Sequence, residues 1–95
     1  MIEVPHTDRT WDQVKADVPM GTRLQGTVKL IIVHFGLWID AGLGFVCLML
    51  IPDCGLGRGV QTADAFEMDQ LIAGDVIWHN DYDQQIRLSR RNIVV

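Results

Sequence analysis

Positive charge is scarce in this chain: Lys and Arg number 8 against 12 Asp and Glu, a formal net charge of −4. That excludes a basic tail that would hold nucleic acid by bulk charge. Cysteine is scarce as well. Cys47 and Cys54 match neither a CxxC motif nor a zinc spacing, which excludes a disulfide-dense scaffold. The expectation is two reduced thiols in a cytoplasmic protein. Long hydrophobic runs are missing: the longest nearly uncharged stretch, Leu43 to Cys54, is far short of the roughly 20 residues of a membrane helix. The opening MIEVPHTDRT has no apolar h-region, so no signal peptide is expected. Three prolines and nine glycines are too few for a collagen-like or low-complexity chain.

What is present fits one globular domain: 95 residues, 48% apolar and 21% charged. The charge is polarised. Residues 51–84 sum to −6, with Arg58 alone against seven acids, while residues 85–95 carry +3 from Arg87, Arg90 and Arg91. An anionic partner should therefore be met by the first strands and the C-terminus rather than by the middle.

Thr10 can cap a short helix over Trp11–Ala16, ended by Asp17-Val18-Pro19. From Arg23 to Ile32 the chain alternates, with Leu24, Gly26, Val28, Leu30 and Ile32 on one side, which predicts a half-buried strand. Gly26 within it suggests a close backbone approach. Phe35–Asp40 and Phe45–Ile51 read as the second and third strands, with a glycine-rich turn between them. Residues 53–72 form a long connection, with a helical turn or two over Ala63–Leu71. Ala73-Gly74-Asp75 reads as a turn into a fourth strand, Val76–Asn80, and Asp81–Gln84 turns into a fifth, Gln85–Ser89. Five short strands with one long connection fit a small Greek-key barrel.

These segments, in order, resemble the S1 domain, the OB-fold RNA-binding module of ribosomal protein S1 and of ribonucleases. The resemblance rests on Trp11, Pro19-Met20-Gly21-Thr22, Gly26-Thr27-Val28, Phe35-Gly36-Leu37-Trp38-Ile39-Asp40, Cys47 to Pro52, Gly74-Asp75, Asp81 and Leu88-Ser89-Arg90-Arg91. It implies an all-β, five-stranded S1-like barrel over residues 11–95, preceded by a segment over 1–10. A short N-terminal helix and a loop or short helix between strands three and four complete it.

The resemblance also implies a site. The family's two base-stacking aromatics fall on Phe35 and Trp38, and its acid on Asp81. Its strand-three His and strand-five Arg fall on Leu50 and Gln85, so both are replaced. Lys29, Arg87, Arg90 and Arg91 remain as candidate phosphate contacts, and His34 stands beside Phe35. Three or four such cations would give a log–log salt slope of about −2 to −3. His6 and His79 show no metal spacing. Gly55-Leu56-Gly57-Arg58-Gly59 lacks the Lys-Ser/Thr of a phosphate loop. No nucleophile–base constellation is visible, so neither an enzyme nor a cofactor is expected. Two functions stay open. One is weak, sequence-tolerant binding of single-stranded RNA, or of single-stranded DNA. The other is a protein-interaction module for a basic protein or the ribosome, such as a nuclease- or toxin-associated partner, built on an apolar patch around Leu50, Trp38 and Met49.

Overall fold

Thr10 opens the first element as expected. Its hydroxyl accepts from the Gln13 N–H at 3.1 Å, and the Gln13 side chain accepts from the Thr10 N–H at 2.9 Å, a reciprocal capping box. The helix α1 (Trp11–Asp17) turns Trp11 and Val14 inward and ends at Val18. The computed structural model describes residues 8–93; the expectations for the opening segment up to Thr7, His6 included, lie outside them.

Five strands follow: β1 (Arg23–Ile32), β2 (Gly36–Asp40), β3 (Val46–Leu50), β4 (Leu71–Asn80) and β5 (Gln85–Ser89). They close into a barrel in the order β1-β2-β3-β5-β4, with β3 and β5 parallel and every other pair antiparallel. This is the expected OB-type Greek-key barrel with its short N-terminal helix. A 3₁₀ turn (Ile51–Asp53) and a single helical turn α2 (Thr62–Ala65) occupy the connection from β3 to β4.

Two regions, the approach to β4 and the far half of β1, differ from expectation. The helix over Ala63–Leu71 is limited to α2, and β4 begins at Leu71 rather than Val76. Gly74 is therefore mid-strand, opposite Leu24, and not in a turn. A Cβ there would stand 2.9 Å from Met49 Cε and 3.1 Å from Leu88 Cβ, so glycine leaves space for the core. Gly26 does the same opposite β2, where a Cβ would meet Asp40 O at 2.8 Å. The close approach expected there is present.

The second correction concerns β1. Its alternation runs inward through Gly26 and Val28 but then breaks. Val28 pairs with Ile39 and Leu30 with Trp38, leaving Lys29 as an extra residue in a bulge. Beyond the bulge Ile31 packs on the core, and Leu30 and Ile32 move to the outside. The same event occurs in β4, where Val76 pairs with Leu88 and Trp78 with Arg87, leaving Ile77 extra.

The barrel interior holds Val28, Leu37, Ile39, Met49, Val76 and Ile86, and α1 covers one part of it with Trp11 and Val14, followed by Val18 just after the helix. Cys47 and Cys54 are both free and fully buried. Burial pushes the Cys47 thiol up to about 12 and that of Cys54 up to about 11. Only the thiolate is a good nucleophile. Iodoacetamide at about pH 8 should leave both thiols unmodified in the folded protein and label both in denaturant. Mass spectrometry reads the difference, and rapid native labelling would contradict this packing. Because both folded values are raised, the associated stability is full below the ordinary thiol value of 9.0 and is lost as pH climbs toward the folded values.

Candidate nucleic-acid interface

The site follows from strand register. Leu30 lies opposite Trp38, Trp38 opposite Leu48, Leu48 beside Arg87, and Arg87 opposite Trp78. One outward row thus crosses all five strands. Its ends owe their place to the two bulges, since simple alternation would have turned Leu30 and Trp78 inward. Cys47 and Met49 point inward on either side of Leu48, and Ile86 and Leu88 on either side of Arg87.

Around the middle of this row is an open groove of about 420 Å³. Trp38, Leu48 and Arg87 line it from the row, Ile32 and Phe35 from the β1–β2 end, and Asp83 and Gln85 from the β4–β5 end. Phe35 is 43% exposed. Its backbone is fixed on both sides: its N–H donates to Ile32 O at 3.0 Å and its carbonyl accepts from the Ile51 N–H at 3.0 Å. The ring is presented by a held turn. His34 is exposed in that turn, in the left-handed region at φ 64°.

Of the eight residues the sequence put forward, Phe35, Trp38 and Arg87 meet in the groove, and His34 adjoins it in the turn. The others lie elsewhere. Lys29, in the bulge, donates to Asp69 at 3.2 Å. Arg90 lies with Cζ 5.0 Å from the centre of the Phe66 ring and donates its backbone N–H to Asp53 O. Arg91 is exposed in the final turn. Asp81 Oδ1 accepts from Trp11 Nε1 and from Lys15 Nζ, both at 2.7 Å. These bonds, Lys15 first, hold the Asp81 carboxyl below the usual range and raise Lys15. They tie α1 to the β4–β5 turn.

The carboxylate that reaches the groove is Asp83, two residues further on. Asn80 donates to it at 3.1 Å and accepts from its N–H at 3.3 Å. Gln85 lines the groove where the resemblance expects an Arg, and Arg87 supplies the cation two residues along the same face. Leu50, in place of the family His, is half-buried opposite Gly36. The sequence reading missed Trp78, Leu48, Ile32 and Asp83. For Leu48 and Asp83, strand and turn parity counted from Trp38 and Gln85 was an available signal. For Trp78 and Ile32 parity misleads because of the bulges.

Among the described residues no three His, Cys, Asp or Glu side chains converge on a possible metal position, and no helix is long and apolar enough to cross a membrane.

No family model matches the sequence, and no curated protein is similar to it in sequence. Solved structures are similar in fold. The a/eIF2alpha–aDim2p–rRNA complex from Pyrococcus horikoshii OT3 matches with a TM-score of 0.68 at 22% identity, over 79% of this chain and 45% of the other. GSP13 from Bacillus subtilis matches with a TM-score of 0.68 at 16% identity, over 78% and 56%. The alpha subunit of aIF2 from Pyrococcus abyssi matches with a TM-score of 0.62 at 24% identity, over 74% and 27%. This chain spans about half the length of the first two. At these identities the likeness establishes the fold.

Proposed function

We propose that this protein binds single-stranded RNA, weakly and with little sequence preference, by stacking bases on Phe35 and Trp38. The observation that carries the reading is the groove itself. An exposed phenyl and a half-buried indole share it with one guanidinium and a carboxylate held by Asn80. Aromatic faces accept any base, which gives sequence-tolerant binding. Arg87 can meet a phosphate or stack on a base, and Asp83 can accept from a base amine or a ribose hydroxyl. Among the barrel's structural neighbours, one is a protein in complex with rRNA.

The electrostatics predict an unusual salt response. Arg87 is the cation lining the groove, while Lys29 is paired with Asp69 and Arg90 rests on Phe66. A single phosphate contact gives a log–log salt slope of about −0.7, well short of the −2 to −3 that three or four contacts would give. Titrating octauridylate into the protein across a salt series measures it. A slope near −0.7 with micromolar or weaker affinity is the expected result. A slope steeper than about −3 would move the phosphate path to cations outside the groove. No binding at about 20 mM salt would end the RNA reading.

A further inference from the structure

Trp78 is the outermost member of the row, and its indole is 46% exposed. Arg87 Cζ lies 5.3 Å from the centre of that ring, so the guanidinium is held against the indole by a cation–π contact. On its other side Arg87 lines the groove that Trp38 shares. Arg87 Nε is shut off from solvent without an acceptor, and among the described residues it is alone in this. An enclosed donor without a partner is costly and calls for an explanation. Here the indole contact holds the guanidinium in place with Nε enclosed, which leaves its terminal nitrogens as the donors for a ligand's oxygen.

We infer that Trp78 and Arg87 form a second base-binding subsite, which takes a nucleotide of the same RNA strand beyond the one stacked on Trp38; the inference rests on the RNA reading above. The row sets the separation. From Trp38 on β2 to Trp78 on β4 there are three strand steps, through β3 and β5, or about 14 Å measured along the sheet. One base cannot touch both indoles, so a strand of several nucleotides is needed to engage both. Trp78 offers an exposed π-face, and Arg87 offers a flat cation that can stack on a base or donate to a phosphate or base oxygen. The same geometry disfavours a basic protein at this position. An incoming Lys or Arg would meet the Arg87 charge already seated on the ring.

Oligonucleotide length tests this. Triuridylate should occupy the Trp38 groove alone, and octauridylate should reach both subsites. Trp78→Ala should lower octauridylate affinity about tenfold and leave triuridylate affinity unchanged. A second measurement does not depend on that variant folding. In Trp38→Phe, Trp78 is the exposed indole that remains, because Trp11 is 8% exposed. Octauridylate should quench its fluorescence. Loss of the quench, equal losses for both oligonucleotides, or no loss for either would overturn the second subsite. Failure of the unaltered protein to bind either oligonucleotide would overturn the RNA reading as well, so the two failures are distinguishable.

Discussion

Replacing Trp38 with alanine should weaken octauridylate binding at least about tenfold while circular dichroism stays native. The indole is the second member of the outward row, paired with Leu30 on one side and Leu48 on the other. A lost base stack costs about 1–3 kcal/mol, and tenfold lies within that range. The fold should survive because the neighbours that point inward from β2, Leu37 and Ile39, keep the core contacts of the strand. Unchanged affinity in a natively folded variant would remove stacking as the mode of binding. An unfolded variant would mean that the ring serves mainly to shield Leu48.

Trp11→Ala should lower stability by about 3–5 kcal/mol. Several contacts are lost together, the Lys15 ammonium 5.9 Å from the ring centre among them. The indole packs on Phe45 with centroids 5.3 Å apart, meets His79 edge-on at 6.2 Å, and donates to Asp81. At roughly 4–8 °C per kcal/mol for a domain of this size, the melting midpoint should fall by about 12 °C or more. Asp81→Asn separates the packing from the hydrogen bonds: it removes the carboxylate that Lys15 and Trp11 share, keeps the indole, and should lower the midpoint by less. The carboxyl of Asp81 is held below its ordinary value. Its contribution is therefore present above about pH 4 and lost as pH falls through the lowered value. If Trp11→Ala melts with the parent protein, α1 is not a working part of the core.

Much of this barrel is legible in the sequence because local rules and tertiary pairing agree there. Thr10 and Gln13 cap α1 by themselves. The ends of β1 and β5 fall where expected, although the alternation of β1 breaks at Lys29, and Gly26 reads correctly as a close approach. Gly74 misleads because a glycine in a turn and one under a packed methionine look alike until Met49 is in place. Within the site, Phe35 and Trp38 were accessible from the resemblance, and Arg87 from the few cations in the chain. Asp81 was accessible by position but not by partner, since nothing local says that Trp11 and Lys15, distant in sequence, will bind it. Trp78 was hidden altogether. By parity from Val76 it belongs inside, and only the pairing of β4 with β5 shows otherwise.

The extra residues at Lys29 and Ile77 therefore act as a phase shift in a two-step count. Each lets one strand serve the core with its early residues and the outer surface with the opposite set later on. An exchange of one side chain for another at either position leaves the count intact, and the barrel keeps its outward row. The loss of one residue restores strict alternation, which would turn the Trp78 indole or the Leu30–Ile32 edge toward the interior and send core residues out in their place. On these two strands the chemistry of the surface is thus encoded less by which residues are present than by how many.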